Sequence, residues 1–176
     1  MKQLFPIYIS SNQLSSNSQK AATLAKTKRL GEFRQGKVIY SFFEALYLIE
    51  TNNAELIKNN KPLSKEKSEN LLSKSQKDFL IKYIVFRHLR QKGFIVKTGL
   101  KFGSEFRVYS RPKNQKDSSI PSHAKYLCYP LSSANLKIHD LISKSRIAHS
   151  TAKSLLLAIV DSEHDVIFYE INWMKI

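Results

Sequence analysis

The chain has 176 residues with a formal net charge of +15, and 42% of its residues are hydrophobic. That length fits one domain or two small ones, and that hydrophobic share supports a folded core, which excludes a largely disordered chain. Residues 1–75 carry 12 basic and 6 acidic residues, and residues 76–176 carry 17 and 8. The excess of positive charge on both halves predicts a broad basic surface. Such a surface favours a polyanionic partner, nucleic acid first and an anionic membrane surface second.

The single cysteine, Cys128, excludes an internal disulfide. It lies in the apolar run 126–129, which predicts a buried and unreactive thiol. This composition suits a reducing cytoplasm, where we expect the protein to work. No apolar run approaches the length of about 20 residues that a membrane-spanning helix needs. The first residues turn polar by Ser10, which is not typical of a signal peptide.

The residue pattern of the first section of the chain, residues 1–74, predicts a small α/β domain. Strands are expected at 4–9 and 37–40 because both stretches are short and rich in β-branched and aromatic residues. The Ser-, Asn- and Gln-rich stretch 10–19 predicts a loop or turn, and two glycines bracket a charged turn at 31–36. We find no residues in this section that indicate catalytic chemistry.

Helix-capping signals are clear at two places in the first section. Ser41 with Glu44 three residues later forms a capping box before an apolar run, which predicts a helix. Ser64 is a candidate N-cap for a helix of mixed charge over 65–73. Residues 21–28 have weak helical character and are equally compatible with a strand and a turn.

The second section, residues 75–176, begins with the longest predicted helix, at about 76–92. Ser75 is its expected N-cap, and Asp78 in the first turn complements the helix dipole. Gly93 supplies the stop signal. Because apolar residues cover a wide arc of this helix, we expect it to be well buried.

Strand signals dominate the rest of the second section. The expected strands are 94–96, 106–109, 125–129, 155–160 and 166–173. In the second of them, alternation places Phe106 and Val108 towards the core and Tyr109 on the opposite face. Pro130 is expected to end the third strand. The continuous apolar run of the fourth is typical of a central strand.

Three further features complete this section. A helix is expected at 138–147, with Leu141 and Ile142 on its apolar face. Residues 110–122 are polar and contain two prolines, which predicts a mobile loop. Residues 161–165 form an acidic turn, and the strand after it is apolar on both faces, which favours pairing with another subunit.

Four stretches of the second section form a recognisable set. They are the run RQKGFIVKTGLKFG at 90–103, the run FRVY at 106–109, the segment around His123, and residues 146–161. In this order and context they resemble the tRNA-splicing endonuclease (tRNA-intron lyase) family of the archaeal type. The resemblance covers most of residues 76–176, and residues 37–50 resemble the amino-terminal domain of that family more loosely.

The resemblance implies a mixed α/β fold. A small N-terminal α/β domain is followed by a restriction-endonuclease-like catalytic domain with a mixed sheet. It implies cleavage of precursor tRNA at a bulge-helix-bulge, leaving a 2′,3′-cyclic phosphate and a 5′-hydroxyl, with no cofactor and no metal. It also implies a homotetramer, or a heterotetramer with a related structural subunit.

By match to the family motif, the catalytic residues are Tyr109, His123 and Lys153. An imidazole, which titrates near pH 6.5 when unperturbed, suits protonation of the leaving 5′-oxygen. A phenol titrates near 10, so it acts as the base at neutral pH only if a cation stabilises its ionised form. A lysine does this and also neutralises charge on the phosphorane. Together these groups can deprotonate the 2′-hydroxyl, protonate the leaving 5′-oxygen and stabilise the charged phosphorane, so the cleavage requires no metal.

The resemblance also implies residues outside the triad. Arg146 matches the position whose guanidinium clamps a flipped-out bulge base, since stacking on Arg or an aromatic ring holds unpaired RNA. Trp173 is either the second side of that clamp or part of a core or subunit interface. Asp161, Glu163 and Asp165 resemble an acidic loop that enters a basic pocket of a neighbouring subunit.

Three rival functions remain open from the sequence. A non-catalytic, RNA-binding subunit of the same complex is disfavoured because all three triad residues are present. A metal-dependent nuclease requires clustered carboxylates, and the tight cluster at 161–165 lies in a predicted turn. A basic RNA-binding protein without turnover would retain RNA but yield no cyclic phosphate end.

Overall fold

A computed structural model of the chain describes residues 4–11, 13–99, 104–110, 123–132 and 137–174. It divides into two compact units, Met1–Phe79 and Leu80–Ile176. Both units combine helices with a mixed sheet, so the predicted mixed α/β class is confirmed. None of the helices in these ranges is both long and apolar enough to cross a bilayer.

The first unit is built on a six-stranded sheet. Its strands are β1 (Phe5–Ser10), β2 (Gln13–Ser16), β3 (Glu32–Arg34), β4 (Lys37–Tyr40), β5 (Ala54–Lys58) and β6 (Lys61–Pro62). Their order across the sheet is β3-β4-β2-β1-β5-β6, and β1 and β5 run parallel whereas the other neighbours are antiparallel. The helices of the unit are α1 (Gln19–Thr27), α2 (Phe42–Glu50) and α3 (Lys65–Ser73).

The capping signals of the first unit are confirmed. The Ser41 side chain accepts from the Glu44 N–H, and the Glu44 carboxylate accepts from the Ser41 N–H, which closes the capping box of α2. Ser64 caps α3 at the predicted residue. Residues 21–28, which the pattern left undecided, lie mostly in α1, and Ser18 caps that helix.

Two strands of the first unit contradict the sequence prediction. The stretch 10–19 contains β2, because Leu14 is 1% exposed and pairs with both Ile9 and Tyr40. The predicted charged turn 31–36 contains β3, which forms a hairpin with β4. Both predictions failed because tertiary pairing decided the structure of segments with weak intrinsic strand preference.

The second unit is built on a five-stranded sheet between two helices. Its elements are α4 (Phe79–Gln91), β7 (Ile95–Thr98), β8 (Phe106–Tyr109), β9 (Tyr126–Ser132), α5 (Ile138–Ser150), β10 (Ser154–Val160) and β11 (Val166–Ile171). The order is β11-β10-β9-β8-β7, with β9 and β10 parallel and the other neighbours antiparallel. The predicted central position of residues 155–160 is therefore confirmed.

The two faces of this sheet carry different helices. On one face, the Phe86 ring of α4 lies 5.8 Å from the Phe106 ring of β8. On the other face, Ala148 of α5 packs against Leu127 and Leu155. Because both faces are covered, the strands of this unit are rich in apolar residues.

The predicted environment of Cys128 is confirmed. The residue is fully buried in β9, beside Phe106 of the neighbouring strand. Burial raises the pKa of the Cys128 thiol, and the nearby Glu105 carboxylate raises it further. The thiol is therefore unreactive near neutral pH.

The start of α4 differs from the prediction, whereas its end agrees. The helix begins at Phe79, because Asp78 adopts a left-handed backbone with φ 55° and Ser75 lies in the preceding turn. Gly93 has φ 85°, and its N–H donates to the Arg90 carbonyl. This is the glycine stop that the sequence predicts.

Two other predictions for the second unit are wrong. Strand β9 continues through Pro130, which pairs with Ala158 of β10. On the opposite side of β9, the register with β8 ends at Cys128, so the missing N–H of the proline interrupts no bond to β8. In α5, Leu141 packs against the core, but Ile142 is 48% exposed because it points away from the sheet.

The Glu44 carboxylate joins two backbone segments of the first unit by hydrogen bonds. Its carboxylate accepts hydrogen bonds from the Gly31 N–H (2.9 Å), the Ser41 N–H (3.0 Å) and the Ser41 hydroxyl (2.9 Å), and the residue is 4% exposed. Gly31 has φ 83°, and a Cβ there would lie 2.4 Å from Val38 Cγ1. The carboxylate therefore anchors a backbone turn that only glycine fits.

Replacement of Glu44 with alanine is expected to lower the free energy of unfolding by about 2–4 kcal/mol. The change removes the cap and deprives buried donors of a charged acceptor. Urea denaturation followed by circular dichroism measures the loss. Glu69→Ala, at an exposed position on α3, is the matched control, with an expected change below about 0.5 kcal/mol. Equal effects of the two substitutions would contradict the anchoring role.

Candidate active site

Three segments of the second unit meet at one end of its sheet. The Lys125 N–H donates to the Val108 carbonyl at 2.9 Å, and the Ser154 N–H donates to the Lys125 carbonyl at 3.2 Å. This row of backbone hydrogen bonds joins β8, the residue before β9 and the first residue of β10. The predicted catalytic residues lie one or two positions from the row: Tyr109 follows Val108, His123 precedes Lys125, and Lys153 precedes Ser154.

Tyr109 is the last residue of β8. It is 8% exposed, and its side chain packs with Ile95 of β7 and with Ala124. Phe106 and Val108 point into the core as predicted, each with no exposed surface. Tyr109 lies on the opposite face, which is covered as well. The packing fixes the orientation of the phenol before any substrate binds.

His123 stands before β9 and is exposed. It is held through its neighbour Ala124, which is 6% exposed and belongs to the same apolar cluster as Tyr109. The predicted loop at 110–122 lies, apart from Ser110, outside the described residues. Residues 100–103 of the family-like run lie outside them as well.

Lys153 is fixed by the tight connection between α5 and β10. Its N–H donates to the Ala148 carbonyl at 2.9 Å, and Ala152 before it has φ 54°. Its Nζ donates to the Thr151 carbonyl at 2.6 Å, and the residue is half-buried. The ammonium is therefore held close to the end of α5.

Strand alternation relates the tyrosine to the lysine. Tyr109 faces away from Phe106 and Val108, and Lys153 shares the face of Leu155, so both lie on the face that α5 covers. Neighbouring strands lie about 4.8 Å apart. From β8 across β9 to β10 the backbones are therefore separated by about 10 Å, a span that a tyrosine and a lysine side chain can close between them.

A polar cluster at the same end of the sheet was not predicted from the sequence. The Tyr126 hydroxyl donates to Glu170 Oε2 at 3.1 Å, across 44 residues of sequence. Ser154 and Asn172 also hydrogen-bond to the Glu170 carboxylate, and Lys125 Nζ lies 4.7 Å from the Tyr126 ring centroid. The cluster therefore links the ends of β9, β10 and β11. Its sequence signal is weak, because no pattern connects Tyr126 to a residue so far along the chain.

The pKa of Glu170 lies below its usual value. Partial burial raises this pKa, but hydrogen bonds from Ser154, Tyr126 and Asn172 and the Lys125 charge lower it by more. A carboxylate with a lowered pKa stabilises the fold above its unfolded-state pKa of about 4.3. The contribution is lost as the pH falls through the pKa of the folded state.

Glu170→Gln is therefore expected to reduce stability slightly at pH 7. Because Glu170 is exposed to solvent, the loss should stay below about 1 kcal/mol. Urea denaturation at pH 7 and at about pH 3 measures the effect, and the difference from the wild type should disappear at the lower pH. A difference that persists undiminished in acid would show that the carboxylate charge is not its source.

The predicted base-clamp residues are both exposed. Arg146 lies on α5. Trp173, which follows β11, is 56% exposed, and its ring centroid lies 4.6 Å from that of His149 on α5. The tryptophan thus packs on a histidine of its own chain and keeps about half its surface open. The sequence alone indicates a structural or surface role for His149, four residues before Lys153.

The acidic turn 161–165 is organised by one of its own members. Asp161 Oδ1 accepts from the Glu163 and Asp165 N–H groups, each at 2.9 Å, and His164 has φ 68°. Glu163 and Asp165 are exposed. Asp161 therefore shapes the turn, whereas the other two carboxylates face the solvent.

Among the described residues, no group of three or more His, Cys, Asp or Glu side chains is arranged to hold a metal ion.

Comparison with known proteins assigns the family. The catalytic C-terminal domain of tRNA intron endonuclease matches residues 79–168, and the chain belongs to this family. The class of enzyme that the sequence runs predicted is therefore confirmed. The matches to the relatives extend over nearly the whole length of both chains. A tRNA-splicing endonuclease of Pyrococcus abyssi is 36% identical over 177 residues, with 99% of each chain covered. One of Methanococcus vannielii is 33% identical over 178 residues, covering 99% of this chain and 97% of the relative.

Proposed function

We propose that this protein is a tRNA-splicing endonuclease that cuts precursor tRNA at intron–exon junctions presented in a bulge-helix-bulge. The single observation that carries the proposal is the row of backbone hydrogen bonds through Val108, Lys125 and Ser154. It supports the proposal because the tyrosine, histidine and lysine that match the family motif stand beside it on neighbouring segments. The net charge of +15 suits a polyanionic substrate.

The proposed reaction is an internal transesterification. Tyr109 removes the proton of the 2′-hydroxyl, whose oxygen attacks the adjacent phosphorus. His123 donates a proton to the 5′-oxygen as the bond to phosphorus breaks. The products are a 2′,3′-cyclic phosphate and a 5′-hydroxyl, and no water or metal enters this step.

Lys153 has two roles in the proposed mechanism. A phenol that acts as a base must be ionised, and a nearby cation stabilises that form. The ammonium provides that charge and then stabilises the negative charge that develops on the phosphorane. The contact of Lys153 Nζ with the Thr151 carbonyl orients the ammonium before the substrate arrives.

Substrate binding and assembly belong to the proposal as well. Arg146 and Trp173 hold an unpaired bulge base, which stacks on their exposed faces. Glu163 and Asp165 bind a basic pocket of a neighbouring subunit, on a turn that Asp161 holds in shape. The active form is a homotetramer or a heterotetramer with a related subunit, working in the cytoplasm. The alternative is a non-catalytic RNA-binding subunit of such a complex.

Substitutions of the triad test the catalytic role. Tyr109→Phe, His123→Ala and Lys153→Met are each expected to lower the single-turnover cleavage rate by about 10²–10⁴-fold. Tyr8→Phe, His139→Ala and Lys137→Met remove the same groups at exposed positions elsewhere and should leave the rate within about 2-fold. Rates that fall equally in both sets would contradict the triad.

The ends of the product test the reaction type. The purified chain alone should cleave a bulge-helix-bulge RNA in excess EDTA. Mass spectrometry should find a 2′,3′-cyclic phosphate and a 5′-hydroxyl. Cleavage that stops in EDTA would favour a metal-dependent nuclease. Binding without cleavage by the chain alone would contradict a self-sufficient homotetramer and point to a missing partner subunit.

A further inference from the structure

A groove in the first unit has no role in the reaction described so far. It lies between α1 and the hairpin of β3 and β4 and has a volume of about 310 Å³. Its lining includes Asn17, Ser18, Gln19, Lys26 and Phe33. The lining therefore combines apolar surface with hydrogen-bonding groups, one cation and one aromatic ring, at the edge of the six-stranded sheet.

A tight hairpin forms one wall of the groove. Gln35 and Gly36 both have positive φ angles, 48° and 76°, as a two-residue turn of a tight hairpin requires. Phe33 pairs with Val38 across the hairpin, and Arg34 pairs with Lys37. Because successive strand residues face opposite sides, Phe33 shares the face of Val38, which lines the groove, whereas Arg34 and Lys37 lie on the other face.

The chain around the groove is strongly basic. Residues 13–40 contain six basic side chains against the single carboxylate of Glu32. They are Lys20, Lys26, Lys28, Arg29, Arg34 and Lys37. Glu32 bonds to Arg34 at 2.6 Å, which leaves a net charge of +5 on this segment, from six positive charges and one negative. A concentration of positive charge at one sheet edge attracts a polyanion.

Phe33 is the least expected residue of the groove. It is 63% exposed, whereas its partner Val38 is 1% exposed. A single exposed ring does not make the broad apolar patch typical of a protein–protein interface. An exposed ring in a groove that also holds a lysine and hydrogen-bonding groups is, by contrast, the usual platform for unpaired nucleotides.

We propose that this groove binds an unpaired segment of RNA, with a base stacked on Phe33 and a phosphate beside Lys26. The inference rests on the proposed function for the identity of the RNA, which is the precursor tRNA substrate. Asn17 and Gln19 offer hydrogen bonds to base edges at the mouth of the groove. The first unit thus contributes affinity for the substrate and is more than a structural support.

The sheet itself supplies a matched control. Lys58 and Lys61 are exposed on β5 and β6, at the edge of the six-stranded sheet opposite to β3. Lys58→Glu changes the charge by the same amount as Lys26→Glu, the substitution of the groove lysine. A general loss of positive charge affects both variants alike, whereas a localised binding site distinguishes them.

Binding is measured by fluorescence anisotropy with a labelled bulge-helix-bulge RNA, on full-length protein that carries His123→Ala to prevent turnover. Phe33→Ala should weaken binding by about 5-fold or more, as loss of a stacked base does. Phe33→Trp preserves stacking and should bind within about 2-fold of the parent, which excludes misfolding as the cause. Lys26→Glu should also lower the slope of log Kd against log salt by about 0.7, because one phosphate contact is lost.

Two outcomes separate this inference from the proposed function. If Phe33→Ala and Lys26→Glu bind RNA as tightly as Lys58→Glu, the groove is not an RNA site, whatever the wild type cleaves. If the wild type fails to cleave both alone and with a related subunit, while Phe33→Ala still weakens binding and Lys58→Glu does not, the groove is supported and the proposed function is contradicted.

Discussion

The peptide group of Lys125 is the contact on which the candidate site depends. Its N–H binds the carbonyl of Val108 and its carbonyl binds the N–H of Ser154, so one residue fixes the ends of three segments that are distant in sequence. Tyr109, His123 and Lys153 extend from those ends. The cluster of Glu170, Tyr126 and Ser154 reinforces the same junction through side chains. Tertiary structure, and not local sequence, therefore brings the ends of these three segments together.

The sequence predicts those elements that are stabilised by residues close to them in the chain. The capping box of Ser41 and Glu44 and the glycine stop at Gly93 both satisfy helix ends with residues a few positions away, and both appear where expected. Strand β2 was missed because its stability comes from pairing with two neighbouring strands and the burial of Leu14. Pro130 was misread as a strand end because its cost depends on whether a neighbour needs its N–H, which only the register reveals.

The candidate site likewise contains residues that the sequence predicts and residues that it does not. The residues of the proposed triad were selected through their resemblance to family motifs, and strand alternation alone predicted the facing of Tyr109. Glu170 was missed, since its partner Tyr126 is 44 residues away and no periodicity links them. The contact between His149 and Trp173 was not predicted for the same reason. The exposure of the Phe33 ring was also not predicted. A phenylalanine in a short charged segment has the same sequence pattern whether its ring is buried or exposed.

The central claim is that a phenol, an imidazole and an ammonium converge on one phosphodiester. A crystal structure of the assembled enzyme with a precursor RNA whose cleavage-site 2′-hydroxyl is replaced by hydrogen tests it most directly. Tyr109 Oη should then lie at the 2′-position, a ring nitrogen of His123 within about 3.2 Å of the leaving 5′-oxygen, and Lys153 Nζ at a non-bridging oxygen. A scissile phosphate bound elsewhere, or the three groups facing separate sites, would contradict the claim.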